Sequence, residues 1–175
     1  MSEFEAEWAR RIGEAERRAR ATGWGDVADY LALRAANDET RAIGVTWLIE
    51  TFTAHAATLN RHAGASITID LKHEAGHRFR VGLSTMVGTR LILRAGVRTM
   101  TVEAGWPRTP ADGIVRGGGL ACAAVSHFGD RRAGEEFLLV RAAGQSPRWL
   151  VLEESGTRPQ LLEERVLRHI NKLIN

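Results

Sequence analysis

The feature that most constrains the fold is a change in hydrophobic period near residue 66. Before it, apolar residues recur at every third or fourth position, as they do on helices. After it they recur at every second position, in runs that short Gly-containing breaks separate. Alternating runs with such short breaks predict antiparallel hairpins, because parallel strands need long crossover connections.

The first 64 residues predict three helices. The first carries an apolar stripe over residues 4–19 and ends before a pair of glycines. Asp26 offers an N-cap for a short second helix, and Asn37 or Asp38 can cap a third helix over residues 39–62. The third segment is apolar nearly all round, which is typical of a central helix that is covered on more than one side.

The rest of the chain predicts strands and one final helix. Seven segments read as strands: 66–72, 77–83, 90–94, 98–103, 120–128, 136–141 and 148–153. The dipeptide Ala75-Gly76 predicts a hairpin turn between the first two. A stripe at Leu162, Val166, Ile170 and Leu173 predicts a helix over residues 159–174, with Pro159 in its first turn. The expected fold class is α+β, with N-terminal helices and a C-terminal helix packed on a curved, mainly antiparallel sheet of six to seven strands.

Composition limits the kinds of protein this can be. With 175 residues we expect one domain, made of a helical segment 1–64, a sheet 65–155 and the last helix. A content of 44% hydrophobic and 26% charged residues excludes a disordered chain. Cys122 is the only cysteine of the sequence, which excludes an intrachain disulfide. We find no secretory signal and no run long enough to span a membrane, so we expect a cytoplasmic protein without membrane contact, and a homo-oligomer stays open.

Basic charge is concentrated in one part of the sequence. The net charge is only +3, and all but two of the 24 basic residues are arginine. Residues 1–64 carry a net charge of −2, whereas residues 77–132 carry nine arginines against three acids, a net charge of +6. Arginine binds oxyanions through paired hydrogen bonds. Four arginines occupy alternate positions of neighbouring predicted strands: Arg78, Arg80, Arg90 and Arg94. If all four share one sheet face, they form a basic patch that can bind an anion. The alternative is that they belong to a solvated outer face of the sheet.

A long loop from Gly105 to Gly119 is the second candidate for a functional element. Loops of this length inside a compact domain are often functional, and a run of glycines offers backbone amides to an anion. The alternative is a wide connection whose glycines relieve crowding before the next strand. The candidate ligand-binding residues are Trp106, Arg108, Asp112, Arg116, Gly117, Gly118, Arg78 and Arg80.

The string His73-Glu74-Ala75-Gly76-His77 fits the pattern H-E-x-x-H. Over these five residues it resembles the zinc motif of membrane-bound AAA proteases. The resemblance implies a zinc-dependent hydrolase in which His73 and His77 hold the metal and Glu74 acts as the base. Both flanks alternate with period two, however, and Gly76 disfavours the helix that this motif requires. A solvated hairpin tip therefore fits the string better.

The leading hypothesis is a non-catalytic binding or interaction domain with no cofactor and no metal. It would recognise an anionic ligand or a protein partner through the Arg-rich strands and the loop. Two alternatives stay open, a zinc-dependent hydrolase through His73 and His77, and a nucleic-acid-binding protein. Aromatic residues do not interleave with the arginines, which disfavours binding of single-stranded nucleic acid by base stacking.

Overall fold

The computed structural model describes residues 3–62, 68–142 and 145–175, with side chains from residue 10 onwards. The elements in chain order are α1 (Glu3–Ala21), α2 (Gly25–His62), β1 (Ile69–Val81), β2 (Ser84–Ala95), β3 (Arg98–Trp106), β4 (Ala121–His127), β5 (Asp130–Val140), β6 (Arg148–Leu152) and α3 (Glu163–Ile174). Two short 3₁₀ turns, Pro110–Asp112 and Arg116–Gly118, lie between β3 and β4. This is the predicted α+β class: along the chain, helices precede and follow a six-stranded antiparallel sheet.

Helix α2 is a single helix of 38 residues, so the prediction of two separate helices was wrong there. Asp38 was expected to cap a new helix, but its carboxylate accepts a hydrogen bond from Arg41 at 2.6 Å within the same helix. The hydroxyl of Thr40 donates to the carbonyl of Ala36 at 2.8 Å. Both polar side chains are thus used inside a continuous helix, and no break is needed to satisfy them.

The sheet is a simple meander in which each strand pairs with the next, in the order β1 to β6. The first two predicted strands are one strand, β1, so the predicted hairpin turn at Ala75-Gly76 was wrong. Gly76 instead forms a β-bulge, since the register to β2 shifts between Ala75 and His77. Its positive φ of 69° is a conformation that glycine adopts without strain. A glycine turn and a glycine bulge therefore make the same demand on the sequence.

The two faces of the sheet differ in what covers them. The inner face packs against α2 and α3 and supplies most of the hydrophobic core. From α2 the core takes Val45, Leu48, Ile49, Phe52 and Ala56, and from α3 it takes Val166, Ile170 and Leu173. The inner side chains are the odd-numbered residues of β2, β4, β5 and β6 and the even-numbered residues of β3. The opposite side is the outer face of the sheet.

Helix α3 begins four residues later than predicted. Pro159 and Leu161 extend alongside β6 instead, where the Pro159 carbonyl accepts from Val151 at 2.8 Å and the Leu161 amide donates to Trp149 at 2.8 Å. This extended segment places Leu161 in the core, with 3% of its surface exposed, whereas Leu162 is 57% exposed. The apolar stripe of the last segment therefore includes Leu161 and not Leu162.

The chain divides into two compact units, Met1–Ala42 and Ile43–Asn175. In the first unit, Ala19, Ala28 and Thr40 are buried. The second unit contains the sheet, α3 and the residues of α2 that line the core. The organisation of residues 1–175 as one domain stays a prediction.

Candidate functional site

The loop between β3 and β4 lies against the outer face of the sheet. Its Ile114 amide donates to the hydroxyl of Ser84 at 3.2 Å. Further along the loop, a Cβ on Gly119 would lie 2.2 Å from Cδ1 of Leu138. Only glycine lets the backbone approach this side chain so closely. Gly119 therefore serves the contact of the loop with β5.

A small second hydrophobic cluster lies under this loop on the outer face. It consists of the buried side chains Phe79, Met86 and Cys122, from β1, β2 and β4. Val81 and Val115 pack against it, and Val115 also contacts the main core. The loop thus covers a part of the outer face that is apolar rather than charged.

Beside this cluster the loop and the outer face enclose a cavity of about 220 Å³, which we call the loop cavity. Apolar side chains make up most of its lining, and two charged residues are part of it. The lining residues are Val81, Gly82, Met86, Ile114, Arg116, Cys122, Ala123, Ala124, Glu136, Phe137, Leu138 and Leu152. An apolar cavity with a few polar groups is the usual form of a small-molecule site.

Arg116 is the cationic group of the loop cavity. The side chain of Arg116 lies over Gly82: a Cβ built on Gly82 would be 3.2 Å from the guanidinium carbon of Arg116. Within the described residues, neither Arg116 nor Glu136 has a salt-bridge partner. The cavity therefore offers one unpaired cation and one unpaired carboxylate to a ligand.

The thiol of Cys122 lines the same cavity and is chemically inert at neutral pH. Burial, and then the negative charge of Glu136, raise the pKa of Cys122 to about 12. Its sulfur lies 3.8 Å from the carbonyl oxygen of Gly105, to which the thiol donates. Because the thiolate is the nucleophilic form, Cys122 contributes packing and not nucleophilic chemistry.

The aromatic candidate of the loop, Trp106, lies on the inner face. It is 5% exposed and belongs to the main core. The guanidinium carbon of Arg108 lies 3.7 Å from the centroid of its ring, a cation–π contact. Trp106 and Arg108 thus contact each other, and neither lines the loop cavity.

Asp112 and Arg78 form an ion pair with an N–O distance of 3.2 Å. Asp112 also accepts hydrogen bonds from the hydroxyl and the amide of Thr109, at 2.9 and 3.1 Å. The hydroxyl bond is the largest of the effects that lower the pKa of Asp112. The carboxylate thus closes the first 3₁₀ turn of the loop and ties it to β1.

The remaining ligand-binding candidates, Gly117, Gly118 and Arg80, lie outside the lining of the loop cavity. Gly117 and Gly118 both have positive φ, and the Gly117 carbonyl accepts from Arg158 at 3.2 Å. Arg80 is exposed near the end of β1. Of the eight residues predicted to bind a ligand, the structure brings Arg116 to this cavity.

The four strand arginines do not share one sheet face. Arg90 and Arg94 belong to the outer face of β2. After the bulge in β1, Arg78 pairs with Val87 and Arg80 with Thr85, so both have the parity of the inner face. Arg90 is also bound by the carboxylate of Glu74, through bonds of 2.5 and 2.8 Å. The condition for a continuous basic patch is therefore not met.

The string H-E-A-G-H lies along β1 and not on a helix. His73 contacts the hydroxyl of Thr89, and His77 Nε2 lies 2.6 Å from a carboxylate oxygen of Glu103 on the outer face. Bonds from Lys72, then Arg90, lower the pKa of Glu74 to about 2. The two histidines flank the bulge and project to opposite sides of the sheet. No group of three or more potential metal ligands occurs in the described part of the chain.

The sequence analysis missed most of the cavity lining, including Met86, Leu138 and Leu152. Leu138 had a readable signal, because the run Phe137-Leu138-Leu139 is apolar on both faces of one strand. Such continuous runs are typical of strands that are covered on both sides. The covering element, the loop, has no apolar periodicity that would have linked it to β5.

No helix among the described residues is long and apolar enough to cross a membrane. Comparison of the chain with protein-family models, with curated protein sequences and with solved structures gives no significant match.

Proposed function

We propose that this protein binds a compact amphipathic anion in the loop cavity. The observation that carries the proposal is Arg116, an arginine without a salt-bridge partner among the described residues, at the edge of a mainly apolar cavity. An anionic group on the ligand would supply the missing partner.

The volume and lining of the cavity define the class of ligand. Pockets for drug-sized ligands have roughly 300–1,000 Å³, so a cavity of about 220 Å³ fits a smaller molecule. Met86, Leu138 and Ile114 favour an apolar body, since its transfer from water is favourable. The guanidinium of Arg116 favours a carboxylate, to which it can donate two parallel hydrogen bonds.

Glu136 restricts the charge of the ligand. Its carboxylate lines the same cavity and would repel a second negative group. A monocarboxylate with a short apolar chain or a single ring fits both charged residues, because its anionic end pairs with Arg116 and it brings no second negative group to Glu136. Dicarboxylates are expected to bind more weakly.

The proposal is tested by calorimetric titration with monocarboxylates of four to eight carbons and benzoate, each beside its uncharged primary amide. Hydrogen bonds to charged groups contribute roughly 1.5–3 kcal/mol. We therefore expect Arg116→Gln to weaken carboxylate binding by about ten- to a hundredfold. Arg132→Gln is the matched control, since Arg132 is exposed on β5 and does not line the cavity.

Two results would overturn the proposal. One is that no carboxylate of the panel binds to the unmodified protein. The other is that Arg116→Gln or the amides leave affinity unchanged, which would show that the anionic group does not contact Arg116.

A further inference from the structure

A second cleft lies at another part of the sheet, where β3 begins and β4 ends. Its volume is about 350 Å³. The lining residues are Arg98, Thr99, His127, Phe128, Asp130, Lys172, Leu173 and Asn175, none of which lines the loop cavity. We call it the terminal cleft, because it lies beside the last turn of α3.

The side chains of the terminal cleft include two cations and one carboxylate. Lys172 Nζ lies 2.9 Å from a carboxylate oxygen of Asp130. Arg98 is exposed and has no salt-bridge partner in the part of the chain that the structure describes. Among the side chains that line the cleft, the cations outnumber the carboxylates by one, and the one carboxylate, Asp130, is a hydrogen-bond acceptor.

A chain of hydrogen bonds fixes which nitrogen of His127 carries a proton. Glu135 accepts a bond from Nε2 of His169 at 3.2 Å. Nδ1 of His169 is then an acceptor, and Nε2 of His127, 3.0 Å away, must donate to it. In the neutral ring this leaves Nδ1 of His127 with a lone pair, and no described residue donates to it.

His127 remains neutral at neutral pH. Its burial, followed by the charges of His169 and Lys172, lowers the pKa of His127, whereas Asp130 opposes this. Burial also lowers the pKa of His169 behind it, against the opposing effect of Glu135. The terminal cleft therefore presents donors on Arg98 and Lys172 and acceptors on His127 and Asp130.

This mixed set of donors and acceptors selects among oxyanions. Sulfate has only acceptor oxygens at neutral pH, so Asp130 repels it and His127 offers it no proton. Hydrogen phosphate has acceptor oxygens for Arg98 and Lys172 and also a P–OH group, which can donate to His127 or Asp130. A carboxylate next to an anion is favourable only when the anion carries such a proton.

We propose that the terminal cleft binds a protonated phosphate, held by Arg98 and Lys172 and recognised through its P–OH group by His127 and Asp130. Inorganic phosphate keeps a proton at pH 7.5. A phosphate monoester, whose second pKa is about 6, has lost its proton at that pH. The cleft thus distinguishes free phosphate from a phosphate ester.

The test is calorimetric titration at pH 7.5 and constant ionic strength with inorganic phosphate, methyl phosphate and sulfate. We expect phosphate to bind at least about tenfold more tightly than the other two, because each lacks the donated hydrogen bond. Arg98→Gln should weaken phosphate binding by about tenfold or more. Arg94→Gln removes an exposed arginine outside the cleft and should leave binding unchanged.

Asp130→Asn supplies a second, independent measurement. It removes the negative charge, so sulfate should bind more tightly and approach phosphate in affinity. Equal binding of the three anions to the unmodified protein would overturn the proposal, as would an unchanged affinity in Arg98→Gln. Neither result bears on the loop cavity, which has separate residues and ligands.

Discussion

Gly44 lies at a contact between α2 and the sheet. A Cβ on Gly44 would be 2.6 Å from Cδ2 of Leu139, a buried side chain of the inner face. The carbonyl of Gly44 also accepts a hydrogen bond of 2.9 Å from the indole of Trp149. Close packing and this bond therefore govern the position, whereas helix propensity alone would favour alanine.

We expect Gly44→Ala to destabilise the protein by about 1–2 kcal/mol, because the added methyl group overpacks the core. Helix propensity by itself would give a stabilisation of about 1 kcal/mol. Urea unfolding followed by tryptophan fluorescence measures the difference. In a Leu139→Val background the clash is removed, and Gly44→Ala should then be neutral or stabilising. A stabilising effect in both backgrounds would disprove the contact.

Individual residues were predictable where they continue a regular pattern. Trp106 extends the alternation of Met100, Val102 and Ala104, so the parity of β3 alone places it on the inner face. Arg116 was among the predicted ligand residues, but its position above Gly82 depends on how the loop folds back on the sheet. Contacts between a loop and a distant turn have no periodic signature in a sequence.

At the scale of elements, α3 is attached to the sheet by a partly buried polar network as well as by apolar contacts. His169 and Arg165 of α3 contact Glu135 of β5 at 3.2 and 2.9 Å. Arg165 also contacts Glu153 at 2.9 Å, and His169 contacts His127. Burial opposes ionisation of Glu135, but the bonds from Arg165 and His169 hold its pKa below the usual value.

This network predicts that stability falls as the pH is lowered from 7.5 to 5.5. The pKa values of His169 and His127 are lowered in the folded state, chiefly by burial. As the pH falls, these histidines are therefore protonated in the unfolded chain, at their ordinary pKa of about 6.5, before they are protonated in the folded protein. Protonation thus favours unfolding. Urea midpoints measured across this range should decrease toward pH 5.5.

His127→Gln is the control for this pH dependence. It removes one of the two shifted histidines, so its urea midpoint should decrease less between pH 7.5 and 5.5. A midpoint that is constant or rises toward pH 5.5 in the unmodified protein would contradict the assignment.

The elements themselves followed largely from the hydrophobic period, and the errors occurred at residues with two uses. Asp38 serves equally as a helix cap or as the partner of an arginine one turn away. Gly76 serves equally in a hairpin turn or in a bulge. In both cases the packing of neighbouring elements determines which of the two structures forms, and the local sequence does not predict where those elements lie.

At the scale of the whole molecule, the residues of the main core that the structure describes all lie between positions 45 and 174. These residues belong to the unit Ile43–Asn175. The two candidate binding sites, the loop cavity and the terminal cleft, are lined by residues of the same unit.

We therefore expect a chain that consists of residues 43–175 to unfold cooperatively by itself. The amide signals of its sheet residues should match those of the same residues in the full chain, because the residues of the main core are retained. Two-dimensional NMR spectra of both proteins measure this. Loss of dispersed signals in the shorter chain would instead support the prediction of one domain over residues 1–175.

The bulge at Gly76 makes the strand β1 sensitive to length in a way that its composition does not reveal. Removal of one residue there would exchange the sides of all residues from 77 to 81 at once. Arg78 and Arg80 would then join Arg90 and Arg94, while Phe79 would leave its apolar cluster. One deletion would thus convert a divided set of charges into a contiguous one. During evolution, an insertion or deletion at such a position changes the charge and hydrophobicity of both sheet faces in one step, which no single substitution does.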